Sequence, residues 1–387
     1  MNRRNFIQVF GLGIGAVSLS STIAGCTVTE TTDDYGWNGP GPQQKDIRMQ
    51  VLSYAILSPN PHNIQPWIVR LTGDKSFDLY VDPARLLPAT DPFYRQIHVS
   101  QGTFLETLSI AATGFGHEAT IDYFPQGIYG NQELLNKPIA SIELIPRTDL
   151  SPDPLFAHLL TRHSNKREYD NRRLTEAEIN TLRDFHGSDN SYPLSIVQST
   201  EAKQQFEQIL TKGMQIEVGD KGRDHETISM FRFNDDEVKQ YRDGFGVSQA
   251  GLSGMKKLIV ENFVLSRESV EKDPTAFGEQ AVDITRKAAA STATFAWIST
   301  PGNSRLDQVK AGRDYCRINL KTTAMRLAQH PMSQVLQEFD EMLPLQARFK
   351  KQFAIKDSDT VQMLFRLGRA EATPHGPRRL VSELIRS

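Results

Sequence analysis

The sequence predicts an α+β fold built as two related lobes, and three observations carry that expectation. Residues 46–145 read as a helix, a pair of short strands, a second helix and another pair of strands. From Thr175 onward helical patterns dominate, but strands recur near Thr294–Ser299 and Asp359–Leu367. A faint internal repeat links the two regions: Gly102 opens an apolar helix after a loop, and Gly312 occupies a similar place later in the chain.

The elements follow in order. Residues 46–57 place Ile47, Val51, Tyr54 and Ala55 on one helical face. Strands near Trp67–Leu71 and Phe77–Val81 are joined by Thr72-Gly73-Asp74-Lys75, a hairpin turn. A Pro-broken loop from Asp82 to Pro92 leads to a helix from about His98 to Phe115, with Leu105, Leu108, Ala112 and Phe115 in register. Strands near Ala119–Phe124 and Ala140–Ile145 complete the first half, residues 46–150. The second half is 151–387; Thr175-Glu176-Ala177-Glu178 is a capping box that starts a helix. Residues 219–257 are polar, with Gly244, Gly246, Gly251 and Gly254, and form a candidate lid. Thr300-Pro301-Gly302-Asn303 is a turn, and a long helix is expected from about Leu306 to Gln329.

The N-terminus reads as an address. Arg3-Arg4-Asn5-Phe6-Ile7 precedes a weakly apolar, Gly-rich run to Ala24, so residues 1–25 have the order of a secretory signal. The paired arginines resemble a twin-arginine signal, exported through the twin-arginine translocation machinery; the alternative is an ordinary secretory signal with two chance arginines. Ile23-Ala24-Gly25-Cys26 resembles a lipobox, which makes Cys26 the lipidated N-terminus; the alternative is a small-residue cleavage site with an incidental cysteine. Residues 26–45 then read as a flexible tether to a membrane on the periplasmic or cell-envelope side. Gly11-Leu12-Gly13-Ile14-Gly15-Ala16 imitates a dinucleotide fingerprint but lies inside the signal.

Composition narrows the function. Of 387 residues, 44 are basic and 46 acidic, a net charge of −2 that argues against nucleic-acid binding. The only cysteines are Cys26 and Cys316, which leaves no cysteine-rich metal or iron–sulfur site. Cys316 sits in a helical pattern and reads as an inert packed thiol. No HExxH, GxSxG or Walker A sequence occurs, and no metal is expected.

Two motifs carry chemistry. Ser58-Pro59-Asn60-Pro61-His62-Asn63-Ile64-Gln65-Pro66-Trp67 is a polar loop between a helix and a strand. It is either a Pro-rich connector or a rigid loop whose amides read the polar edges of a planar ligand. In Arg162-His163-Ser164-Asn165-Lys166-Arg167, residues 162, 164 and 166 alternate and would project to one side of an extended chain. That is either a solvated charge run or a site for a phosphate monoester. Arg378 and Arg379 form another basic pair in the Pro-containing tail.

These residues resemble the nitroreductase family. Asn63, Gln65, Pro66 and Trp67 match its Asn-Gln-Pro-Trp loop, with Ser58 and Asn60 in place of alanine and serine. Arg162–Tyr169 looks like its Arg-x-Ser-x-Arg phosphate motif, with Lys166 or Arg167 in the last basic place. The basic motif follows the loop by about a hundred residues rather than preceding it. That order resembles the Acg-like branch, in which two nitroreductase-like halves in one chain form an intramolecular pseudo-dimer. Asp91-Pro92, Arg95, Ser100 and Gly102 resemble that branch too, as does the ending around Arg378-Arg379.

The resemblance implies one FMN between the halves of a monomer. Asn60, His62, Asn63 and Gln65 would approach its ring or ribityl chain. Arg162, Ser164, Asn165, Lys166, Arg167, Arg378 and Arg379 would surround its phosphate. The expected activity is an FMN-dependent oxidoreductase that reduces a small-molecule electron acceptor of nitroaromatic or quinone type. The alternatives are an FMN-storing or sequestering protein, or a cell-envelope interaction protein that keeps only the fold. The resemblance assigns no catalytic acid or base, since the hydride chemistry is the flavin's.

Overall fold

The computed structural model describes residues 36–187, 192–249, 257 and 266–386. The signal segment, Cys26, Gly251 and Gly254 lie outside the described residues.

Asp46 caps helix α1 (Ile47–Ala55) by accepting from the Arg48 amide, and α1 buries Val51, Leu52, Tyr54 and Ala55. Strands β1 (Trp67–Gly73) and β2 (Ser76–Val81) form the expected hairpin, Trp67 opposite Val81. Helix α2 (Arg95–Gly114) starts three residues earlier than His98, because the Asp91 carboxylate accepts from the Gln96 and Ile97 amides. Strands β3 (His117–Tyr123) and β4 (Ala140–Pro146) complete an antiparallel sheet of order β1-β2-β4-β3.

The second half repeats this plan with additions. Helix α3 (Glu176–His186) has the capping box of Thr175 and Glu178 and leads to β5 (Leu194–Val197). An insertion follows: α4 (Thr200–Val218), α5 (Lys221–Met230), β6 (Phe231–Arg232), α6 (Asp235–Tyr241), β7 (Phe245–Gly246), α7 (Arg267–Lys272) and α8 (Thr275–Ala290). The plan resumes with β8 (Thr294–Thr300), α9 (Arg305–Ala324), β9 (Ala328–Pro331), α10 (Leu343–Gln352) and β10 (Thr360–Gly368). Helix α9 ends before the expected Gln329, since Arg326 takes a left-handed φ of 56° and residues 328–331 pair with β10.

The second sheet has the order β5-β8-β10-β9, all antiparallel. Strand for strand it reproduces the first sheet, with α9 in the place of α2. The expectation of an α+β fold in two related lobes is met. Helices α2 and α9, each 20 residues long, cross at Gly102 and Gly312. A Cβ on Gly102 would lie 1.8 Å from the Val309 carbonyl oxygen, and one on Gly312 would lie 1.9 Å from the Val99 oxygen. Each glycine thus meets the carbonyl three residues before its counterpart, a local two-fold relation that no other residue type permits at this separation.

One core spans this crossing, joining Trp67, Phe77, Phe104 and Leu108 to Val309, Cys316 and Leu320 of α9. On the second sheet, Phe206, Phe295, Trp297 and Phe349 pack on one face and Ile179, Tyr315, Ile318 and Phe365 on the other. Cys316 is fully buried beside the Thr107 hydroxyl, the packed position expected of it, and burial pushes its thiol up to about 11, which disfavours the reactive thiolate. After β10 the tail returns to the first half, where Val69 pairs with Leu384 and Arg386. That return positions the site.

Candidate functional site

The loop between α1 and β1 hangs from helix α2. The Ser58 hydroxyl donates to Thr107 Oγ1 at 2.8 Å, Thr103 donates to the Pro59 carbonyl at 2.6 Å, and Gln101 Nε2 donates to the Pro66 carbonyl at 2.9 Å. Within the loop, His62, Asn63 and Gln65 take left-handed φ values of 47°, 55° and 54°. Asparagine tolerates that region; histidine and glutamine occupy it at a cost of about 1–3 kcal/mol each, a backbone strain that clusters at binding sites.

The loop's amides are bonded within the protein. Asn60 stays within the loop, accepting from the Gln65 amide at 2.8 Å. Asn63 Nδ2 donates to the carbonyls of Gly244 (3.0 Å) and Pro377 (2.8 Å), and its Oδ1 accepts from Arg378 at 2.6 Å. Gln65 Nε2 donates to the Arg242 carbonyl at 2.9 Å, and Gln65 Oε1 accepts from the Arg379 amide at 2.8 Å. Asn63 and Gln65 therefore clasp the insertion to one side of the loop and the tail to the other. Their polar groups are engaged with protein rather than presented to an open cavity.

The cations gather beside this clasp. Arg162 and Arg378 are 4% and 5% exposed, and both donate to the Leu57 carbonyl, at 2.8 and 3.3 Å. Arg162 also donates to Asn319 Oδ1 at 3.2 Å, a partner on α9 that no motif in the sequence marks. Lys166 lies over the Phe245 ring at 4.0 Å, and His62 meets the same ring edge-on at 5.5 Å. Among the described residues, none of Arg162, Lys166 and Arg378 has a carboxylate partner. Arg379, by contrast, has Asp82 at 3.8 Å, and Arg167 has Glu371 at 3.8 Å.

Electrostatics show the consequence. Burial, reinforced by the Arg162 charge, pushes the Arg378 guanidinium well below its ordinary value, and burial lowers Arg162 too. Burial alone brings Lys166 down to about 8. His62 is lowered to about 4 by burial and then by Lys166, and His375 to about 4 by burial and then by Arg162. Nε of Arg378 and Nδ1 of His62 are buried without a partner among the described residues. The arrangement is a buried positive cluster that an anion would complete.

Three expected site residues also bond to protein. Asn165 donates to the Glu371 carbonyl at 2.8 Å and accepts from the Arg167 amide, so it pins the tail. The Arg379 side chain holds the Gln65 and Glu383 carbonyls, at 3.2 and 2.8 Å, and braces the strained loop. Arg167 turns to Glu371 while its carbonyl accepts from Arg366 at 2.8 Å. Ser164 lies partly exposed between Arg162 and Lys166.

The insertion closes over the loop. The Gly244 amide donates to the Asn63 carbonyl, and Asp243 pairs with Arg85 at 2.8 Å and with Arg232. Farther along, Glu226 accepts from the Thr90 amide at 3.0 Å. Within the expected tether, residues 36–39 are docked on the protein. Trp37 is 8% exposed, stacks on His375 with ring centroids 3.8 Å apart, and donates to the Gly376 carbonyl at 2.9 Å. Its flanking glycines and prolines gave the segment a linker's composition, but the indole is anchored.

No family model matches the sequence. Over 84 residues the chain is 33% identical to the "Putative NAD(P)H nitroreductase" of Mycobacterium tuberculosis, a match covering 22% of this chain and 24% of that protein. The chain thus spans about a quarter of the length of the curated relatives it matches. Among solved structures it is similar to the "putative nitroreductase" of Anabaena variabilis, with 11% identity, 87% of this chain and 91% of that one covered, and a TM-score of 0.42. It is also similar to a nitroreductase with bound FMN from Bacteroides fragilis, with 10% identity, 57% and 89% covered, and a TM-score of 0.31.

Proposed function

We propose that this chain is a flavoprotein of nitroreductase type, exported and lipid-anchored through Cys26, that binds one FMN and reduces a small electrophile. The observation that carries the reading is the buried pair Arg162 and Arg378, which has no carboxylate partner among the described residues. Buried charges are retained where something compensates them, and the dianionic end of a phosphate monoester suits two guanidinia and an ammonium. The residues therefore fit FMN. Arg162, Lys166 and Arg378 would hold its phosphate, with Ser164 beside them. His62, Asn63 and Gln65 would line the approach of the ring once the insertion moves. When bound, FMN supplies hydride and electron transfer; the chain supplies anion binding, orientation and exclusion of water. The motif resemblance and the nitroreductase named among the relatives support the same reading.

The test is the visible spectrum and the flavin-to-protein ratio of full-length chain purified from the membrane fraction. One flavin per chain is expected, and a colourless protein that takes up no added FMN overturns the proposal. Export is tested by Arg3→Lys/Arg4→Lys, which should leave precursor in the cytoplasm. Anchoring is tested by mass spectrometry of the mature N-terminus, where an unmodified residue other than Cys26 rejects it. The crossing of α2 and α9 within one chain supports a monomer, since the lobes already bury their shared face.

A second reading has its own support. The insertion is fastened to the loop by Asn63, Gln65 and the Asp243–Arg85 pair, which would shield a bound flavin from an acceptor. Such a protein would store or sequester FMN. Turnover of a nitroaromatic or a quinone by the flavin-loaded chain separates the two.

A further inference from the structure

Trp37 lies against the buried arginines. The Arg162 and Arg378 guanidinia stand over its ring, 5.6 and 5.1 Å from the centroid. His375 stacks on the ring at an interplanar angle of 8°. The backbone around it is shaped for close docking. Gly36 has a φ of 94°, and a Cβ there would lie 3.3 Å from Ile56 and 3.8 Å from the Arg378 Cβ. Gly39 has a φ of 72°, and its Cβ would meet the Tyr54 hydroxyl at 3.2 Å. Two left-handed glycines therefore lay the segment flat against α1 and the tail, with Trp37 between them.

Among the described residues, the indole offers its electron-rich face to two cations that lack a carboxylate there. Stacking uses the face of a guanidinium, whereas a phosphate binds its N–H edges. On Arg378 the buried Nε, without a partner among the described residues, leaves such an N–H for the anion. The indole therefore shields the arginines from water without taking the place of the anion, and it ties residues 36–39 to Gly376 in the tail.

We propose that Trp37 is a positioning residue of the anion site: it covers Arg162 and Arg378, holds them for a phosphate monoester, and must lift before the phosphate can exchange. This rests on the phosphate reading of the cluster. The N-terminal segment is then part of the site from residue 36 onward, and undocking it controls how long a phosphorylated ligand stays.

Two measurements on the full chain test this. The first is the rate at which FMN leaves the loaded protein, read from the fluorescence that free flavin regains after dilution. Trp37→Ala is expected to speed release by about ten-fold or more, since cation–π contacts and shielding are lost together. Trp37→Phe keeps a stacked ring and is expected to stay within about three-fold of wild type. Equal release rates in wild type and Trp37→Ala overturn the proposal.

The second measurement uses inorganic phosphate on flavin-free chain. The difference in emission between wild type and Trp37→Phe isolates Trp37 from Trp67 and Trp297, which are both buried. Saturable change of that difference with phosphate supports the proposal, even in a chain that never takes up flavin. If FMN binds but phosphate leaves the emission unchanged, the role of Trp37 is rejected while the flavin reading stands. No response to either ligand rejects both.

Discussion

Arg95 and Arg305 each open a helix in one half of the molecule and place their guanidinium in the other half. Arg95 donates to the carbonyls of Gln362 (2.9 Å) and Leu336 (2.5 Å), while Arg305 donates to those of Phe93 (2.8 Å), Gly130 (3.2 Å) and Glu133 (2.7 Å). The same interval of 210 residues separates Arg95 from Arg305, Gly102 from Gly312, and Gly114 from Ala324. The side chains at the helix starts and the glycines at the crossing thus obey one two-fold relation. That relation holds the two halves, and with them the loop and the basic motif, in a fixed register.

The arginines spread a planar set of donors over main-chain carbonyls, buried around Arg95 and partly buried around Arg305, a span that the compact ammonium of lysine matches poorly. Arg95→Lys and Arg305→Lys are both expected to destabilise the chain, because the deserted carbonyls cost about 1–3 kcal/mol each where they stay buried. Thermal melts of the two variants check this. A melting temperature unchanged in either one would show that its carbonyls find other partners.

At the crossing, Gly102→Ala puts a methyl group 1.8 Å from the Val309 oxygen, and Gly312→Ala puts one 1.9 Å from the Val99 oxygen. Neither neighbour is a flexible side-chain end, so the helices must separate. Overpacking of this kind costs about 1–3 kcal/mol and sometimes more. Because both methyls push the same pair of helices apart, the double variant should lose less stability than the two single losses together. Denaturant titration of the three variants decides the point, and strict additivity would argue that the two contacts are independent.

How much of this was legible in sequence depends on the range of the forces. The hairpin at Thr72–Lys75 and the capping box at Thr175 and Glu178 are local, and each appears where its residues predict. The cap of α4, where Ser199 accepts from the Ala202 amide, is local in the same way. The start of α2 was misplaced because its cap comes from Asp91, outside the helix. The end of α9 was misplaced because apolar Leu327 and Ala328 continue the pattern past a left-handed Arg326. At the site, residue types were legible and partners were not. Asn63 and Gln65 stand out as amides in a rigid loop, but they bond to Gly244, Arg242 and Pro377, which only the fold brings near. Trp37 was hidden for the same reason, since its anchors lie in the tail.

Removing one buried cation should loosen a phosphorylated flavin more than an unphosphorylated one. Arg162→Ala deletes a charge-assisted contact worth about 1.5–3 kcal/mol, or about 10- to 150-fold in affinity for FMN. Riboflavin, which has the ring and ribityl chain without the phosphate, should bind wild type and variant almost alike. Fluorescence titration with both ligands measures the two ratios. Equal losses for FMN and riboflavin would move Arg162 from the phosphate to the general packing of the site.

Lys166 gives the pH dependence its sign. Burial holds the ammonium at about 8 in the folded chain, against an ordinary value of 10.5. In the flavin-free protein the unfolded state therefore binds more protons between those values. The penalty for burying the charge is full below about 8 and fades as pH rises toward 10.5. Anion binding runs the other way. Below pH 8 Lys166 is charged and attracts the phosphate, which is already mostly dianionic above its second ionisation near pH 6. Above 8 the lysine must recapture a proton on binding, so affinity should fall by up to about ten-fold per pH unit. Lys166→Met should bind FMN more weakly at pH 7 and show no such fall. Lys166→Arg, which keeps its charge throughout, should bind well and stay flat. Titrations from pH 6.5 to 9.5 compare the three. A wild-type profile that is flat across that range would mean that the Lys166 ammonium stays on Phe245 and does not take part in holding the phosphate.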